Sequence, residues 1–175
     1  MKIAVVWGST TGNTETAAEK LQEILGERIS VCCNVDDLTA EEMLTYDVVL
    51  IGVSTWDIGE LQYDWPERVK DMADHDWSKV TFGFFGCGDA YHYEDTFVDA
   101  FGIIWETLEP RGAKLIGTWP VDGYEFTDSR SLCNDRKHFL GLPLDDDNEA
   151  ELTDQRLQSW AEQLQRELDA MTAAQ

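Results

Sequence analysis

Positive charge is scarce in this chain of 175 residues. Thirteen lysines and arginines stand against 35 aspartates and glutamates, a formal net charge of −22. A surface so short of bases repels phosphate backbones and anionic bilayers, which argues against nucleic-acid and membrane binding. It attracts basic partner proteins over long range, and it also serves plain solubility. Cysteine is thin as well. Cys32, Cys33, Cys87 and Cys133 form no CxxC pair and no metal-ligand pattern, so free thiols in a reducing compartment are expected, with no metal site. No apolar run approaches the ~18 residues that a membrane span needs. The stretch from Met1 to Trp7 lacks the charged, apolar and cleavage regions of a secretory leader, so the expected location is the cytoplasm. Histidine is limited to positions 75, 92 and 138, with no Ser/His/Asp constellation, and no catalytic acid, base or nucleophile is expected. Repeats and low-complexity linkers are missing, so residues 1–175 read as one domain, and 43% hydrophobic content is enough for a core.

What remains alternates between two periodicities. Continuous apolar runs, the mark of strands buried on both faces, occur at Ile3–Trp7, Ile29–Cys33, Asp47–Val53, Val80–Phe85 and Lys114–Trp119. Between and after them lie helical stripes: Ala17, Ala18, Leu21, Ile24 and Leu25; Trp65 to Ala73; Phe97, Phe101, Ile104, Trp105 and Leu108; and Leu157 to Met171. Thr39 to Glu42 has capping-box spacing and opens a short helix. The pattern predicts an α/β fold, a doubly wound five-stranded parallel sheet with helices on both faces. Pro120 to Ala150 breaks the rhythm, with only a strand-like patch near Phe139–Leu142, and reads as an inserted excursion.

Three loops carry the candidate chemistry. Ser9-Thr10-Thr11-Gly12-Asn13-Thr14 lies between the first strand and the first helix, where backbone N–H groups and the helix dipole favour a phosphate. Hydroxyls of Ser9, Thr11 and Thr14 are candidate extra donors. The loop lacks the lysine of a triphosphate-binding loop and the GxGxxG fingerprint. A bare helix cap explains such a loop equally well on its own. The third strand is followed by Ser54-Thr55-Trp56-Asp57-Ile58-Gly59, the fourth by Cys87-Gly88-Asp89-Ala90-Tyr91-His92-Tyr93. Both lie at carboxyl ends of strands, where open α/β sheets bind ligands, and their aromatics would sandwich a flat ring.

Together these segments resemble the long-chain flavodoxins over nearly the whole chain. The resemblance rests on Ser9 to Glu15, Ser54 to Glu60, Phe85 to Asp89 with Tyr93, and an insertion carrying Asp122-Gly123-Tyr124-Glu125-Phe126 and Phe139-Leu140-Gly141-Leu142. It implies strand order 2-1-3-4-5 with the insertion in strand 5. It implies a monomeric, low-potential carrier of single electrons that binds flavin mononucleotide (FMN) non-covalently. Ser9 to Thr14 would hold the phosphate, Trp56 and Tyr93 the two ring faces, and Thr55 with Asp147 the ribityl chain. Gly88 and Asp89 would meet the pyrimidine edge, with Ser54, Asp57, Ile58, Gly59, Cys87 and Tyr91 around the ring. The Asp57–Ile58 peptide would turn its carbonyl toward the flavin on reduction. The implied partners are a ferredoxin/flavodoxin-NADP reductase, or a similar basic flavoprotein reductase, and acceptor redox enzymes. An FMN-dependent NAD(P)H:quinone reductase of the same fold is the alternative. A response regulator would need acids where Ser9-Thr10-Thr11 and Ser54-Thr55 stand. Asp57 departs from the Asn or Gly common among the family, and His92 is bulkier than usual there.

Overall fold

The structure, a computed structural model, describes residues 1–174. Strand β1 (Ile3–Trp7) leads through the Gly8–Gly12 loop into α1 (Asn13–Leu25); β2 (Ile29–Asn34), α2 (Ala40–Met43) and β3 (Val48–Gly52) follow. The predicted capping box is formed: Thr39 Oγ1 accepts from Glu42 N while Glu42 accepts from Thr39 N. A hairpin of β4 (Thr55–Trp56) and β5 (Glu60–Leu61) precedes α3 (Trp65–Met72) and β6 (Thr81–Cys87). Then come α4 (Asp99–Leu108), β7 (Lys114–Leu115), β8 (Trp119–Pro120), β9 (His138–Phe139), β10 (Gly141–Leu144), α5 (Asp146–Glu149) and α6 (Thr153–Ala173).

The central sheet is parallel, ordered β10-β6-β3-β1-β2, with β7 also paired to β6. Side chains alternate across it. Ala4, Val6, Val49, Ile51, Phe82 and Phe84 enter one core, shared with Trp65, Met72, Phe101 and Ile104 of α3 and α4. Ile3, Val5, Val48, Leu50 and Phe85 enter the other, shared with Ala17, Leu21, Leu157, Trp160 and Leu164 of α1 and α6. Runs apolar at every position are what burial on both faces requires.

The fifth strand differs from the sequence-based expectation over Lys114–Trp119. Only Lys114 and Leu115 join the sheet, opposite Thr81 and Phe82. Trp119 and Pro120 leave it to pair with His138 and Phe139. The chain then returns, and Gly141–Leu144 completes the edge opposite Phe84–Cys87. The edge position is thus one strand in two pieces. The patch read near Phe139–Leu142 spans the end of β9 and the start of that second half.

Candidate functional site

The chain leaves β1 toward β2 on one side and reaches β3 on the other, so a crevice opens beyond their carboxyl ends. A cavity of about 450 Å³ lies there. Its walls are Thr11 and Asn13 from the β1–α1 loop, Ser54 to Asp57 after β3, Cys87, Gly88, Asp89 and Tyr93 after β6, and Asp147 from α5. Three sequence-distant loops therefore face one space.

The β1–α1 loop is built to leave a helix end open. Gly12 stands at the N-cap with φ 92°, a left-handed conformation that a glycine adopts without strain, and no side chain caps α1. Its amide donates to Ser9 Oγ at 3.0 Å. Thr14 is fully buried and shares a hydrogen bond of 2.5 Å with Ser54 Oγ. Gln62 Nε2 donates to Thr10 Oγ1 at 3.1 Å. As acceptors in these bonds Ser9 and Thr10 keep their own hydroxyl protons to donate, while the buried Thr14 is paired with Ser54. Beside them stand the first-turn amides of α1 and Thr11.

The second wall is the β4–β5 hairpin, whose tip is Asp57-Ile58-Gly59. Asp57 takes φ 45° and Gly59 φ 80°. Trp56 packs on Tyr63 at 5.6 Å between ring centroids. Its indole Nε1 is buried with no partner among the described residues. Ile58 is 78% exposed and, like the buried Gly59, is not part of the cavity wall.

The third wall is the loop after β6. Gly88 N donates to Leu144 O at 2.9 Å, which ties the loop to β10. Burial pushes the Asp89 carboxyl up, but bonds from the His92 amide, Asn148 and the His92 ring outweigh it and hold it below the usual range. Asp147 is shifted the other way, by burial first and then by the charges of Asp89, Asp145 and Asp146. Burial, with Asp146 beside it, pushes the Cys87 thiol well up. Tyr93 lines the cavity, whereas Tyr91 does not. Tyr91 is 76% exposed and borders a separate, larger hollow of about 860 Å³ together with Tyr124, Phe126 and Asn148. The spacing of aromatics in sequence did not tell these two tyrosines apart.

Sequence reading also passed over Gln62. It is 1% exposed, bonds Thr10 and Asp64, and its own amide donates to Ser54 O at 3.1 Å. It links the first two walls. A single polar residue between Leu61 and Tyr63 has no pattern that marks this.

Against known proteins, the family model described as Flavodoxin matches residues 5–160. A flavodoxin of Nostoc sp. is 40% identical over 166 residues, covering 95% of this chain and 96% of that one. Flavodoxin 1 of Escherichia coli K12 is 38% identical over 164 residues, covering 94% and 93%. Among solved structures, Fusobacterium nucleatum flavodoxin bound to flavin mononucleotide superposes with a TM-score of 0.86 at 21% identity, covering 95% of this chain and 98% of that one. Oxidised Flavodoxin 2 of Bacillus cereus gives 0.70 at 26% identity, covering 95% and 99%. The matched core, the strand order and the three loops at the switch point agree with one another: the chain belongs to the flavodoxin family.

Proposed function

We propose that this protein binds FMN non-covalently and carries single electrons between other proteins. The observation that carries the reading is the crevice itself. It joins an uncapped helix N-terminus to two aromatic side chains, Trp56 and Tyr93, in one space. Its 450 Å³ falls within the ~300–1,000 Å³ typical of small-ligand sites. The buried, unpartnered Nε1 of Trp56 leaves one donor for a group that the chain does not supply.

Bound flavin would supply the one-electron chemistry. The chain's residues position it and set its surroundings. The first-turn amides of α1, with Thr11 and Asn13, suit the phosphate, where the helix dipole adds to them. The hydroxyls of Ser9 and Thr10, which accept from Gly12 N and Gln62 Nε2 and keep their own protons, add donors there, while Gly12 and the Ser54-paired Thr14 shape the loop. Trp56 and Tyr93 suit the two ring faces. Thr55 and Asp147 suit the ribityl chain, and the backbone of Gly88 and Asp89 suits the pyrimidine edge. Asp57, Asp89 and Asp147 around the crevice disfavour added negative charge, which biases the carrier to low potential. Ile58 and Tyr63, exposed beside the crevice, suit contact with a basic flavoprotein reductase and with acceptor redox enzymes.

Quenching of tryptophan emission by added flavins tests the reading. FMN should bind more tightly than riboflavin, because only FMN brings a phosphate dianion to the open N-terminus of α1; FAD, whose phosphate carries a further adenylate, should bind more weakly than FMN. Equal affinity for FMN and riboflavin would overturn the phosphate assignment. The loaded protein should oxidise NADPH only when a basic reductase is added; turnover without one would favour the quinone-reductase alternative.

A further inference from the structure

The hairpin tip that forms one wall of the crevice is held from beneath. The β4–β5 ladder has only two residue pairs, Thr55 with Leu61 and Trp56 with Glu60. So short a ladder does not fix its own tip. The first turn of α4 grips the tip instead, at both ends. Ala100 N donates to Thr55 Oγ1 at 3.0 Å. At the far end, a Cβ placed on Gly59 would lie 2.8 Å from Asp99 Oδ2 and 3.1 Å from Thr96 Cβ. The glycine α-carbon therefore rests on the Asp99 carboxylate. Trp56 and Asp57, which line the crevice, lie between the two grips.

Asp99 is itself held. Its Oδ1 accepts from Arg130 N at 2.7 Å. The Arg130 guanidinium is engaged elsewhere, with Glu106 at 2.6 Å. Ser131 Oγ accepts from Gly102 N at 2.8 Å and donates to Val98 O, so the Ser129–Ser131 segment is fastened along the same turn. Asp99 is only 5% exposed. Burial pushes its carboxyl up, while the Arg130 N–H works in the other direction. The Arg130 charge also favours the ionised form, but from beyond ion-pair distance, and burying a carboxylate on those terms is costly.

We infer that Asp99 is a positioning residue for the Trp56 loop: set by the Arg130 N–H on one side, it supports Gly59 on the other and so holds the hairpin tip in place. The purpose of that loop rests on the flavin reading, but the test does not require flavin. Amide hydrogen exchange is measured on the full chain without FMN, for the wild type, Asp99→Asn, Asp99→Ala and Asp99→Ser. Asparagine keeps the shape and an acceptor for Arg130 N, so its tip should exchange as the wild type does. Alanine should speed exchange at the amides that report the hairpin, Gln62 N on Ser54 O and Ala100 N on Thr55 Oγ1, by about tenfold or more while β1, β3 and β6 keep their protection. Loaded with FMN, the alanine variant should shift its first one-electron potential and the asparagine variant should not. A tip in Asp99→Ala that exchanges like wild type would overturn the inference. So would equal loosening in Asp99→Asn, or loosening spread evenly over the sheet. Asp99→Ser replaces alanine if that variant does not fold. If both fail while Asp99→Asn folds, Asp99 serves the whole fold and the inference falls. Absence of FMN binding in every protein, wild type included, would instead overturn the flavin reading and leave the exchange result standing.

Discussion

At the scale of single residues, the left-handed backbone at Asp57 matters most. Its φ of 45° is one that most L side chains avoid, although aspartate tolerates it better than a β-branched residue would. A steric cost at this position is therefore present in the structure itself. Asp57→Gly removes that cost and takes one carboxylate from the crevice wall. The loop can then follow the conformation that reduced flavin favours. The first one-electron potential should rise by ~40 mV, the equivalent of about 1 kcal/mol for one electron. Spectroelectrochemical titration reads this directly, and a potential that stays put or falls would remove Asp57 from the control of the couple. The cysteines lead to a second expectation. Burial pushes Cys32 and Cys133 from 9.0 up to about 11, and Cys87 well above its usual value. At pH 8 the thiolate fraction of Cys32 and Cys133 is about a hundredfold below that of an ordinary cysteine, so their alkylation in the native protein should be slower by about that factor. The folded chain keeps these protons while the unfolded chain releases them from about pH 9. The unfolded state thus binds fewer protons, and stability should fall as pH rises from about 9 to 11. Native alkylation at the free-cysteine rate, with a flat alkaline profile, would contradict both.

At the scale of elements, the sequence carried β1, β2, β3 and β6 and the main helices because their signals are local. Ile3–Trp7 and Val48–Gly52 are apolar at every position, and α1 and α6 show their buried stripes directly. The split of the β10 edge was not legible from periodicity, because its two halves are separated by 25 residues and only their shared neighbour β6 shows that they belong together; the family resemblance, with its insertion in strand 5, did imply it. The phosphate loop and the Trp56 and Tyr93 loops were visible as loops after strands. Gln62 and Asp99 were not visible, since each acts through partners about 30 to 50 residues away. The rejoined edge makes a prediction of its own. Gly141 sits so close to β6 that a Cβ would lie 2.0 Å from Phe84 O. Gly141→Ala cannot keep the Gly141–Phe84 register, and it should lose ~2–4 kcal/mol in chemical denaturation. A loss below ~0.5 kcal/mol would mean that β10 can slide outward freely.

At the scale of the whole molecule, net charge and a small apolar contact divide the work of meeting a partner. The charge is −22, and in α3 the two bases are already matched: Arg68 pairs with Asp71 and Lys70 with Glu67. Carboxylates therefore dominate the field around the Trp56 hairpin, at Asp57, Glu60 and Asp64. Beside them stand Ile58, 78% exposed, and Tyr63, 64% exposed, side chains with no core to enter. Long-range attraction governs how often a basic partner arrives, whereas desolvated apolar contact governs how long it stays. Screening separates the two, because the Debye length falls from about 30 Å at 0.01 M salt to about 3 Å at 1 M. The association rate with a basic flavoprotein reductase should fall about tenfold or more from ~0.02 M to ~0.5 M salt. Glu60→Gln should lower the association rate at low salt and have little effect at high salt. Ile58→Ala should mainly raise the dissociation rate, at either salt. Stopped-flow measurements on the loaded protein distinguish these effects. An association rate independent of salt would show that the acidic surface serves solubility alone, and the exposed isoleucine and tyrosine would then have to account for recognition by themselves.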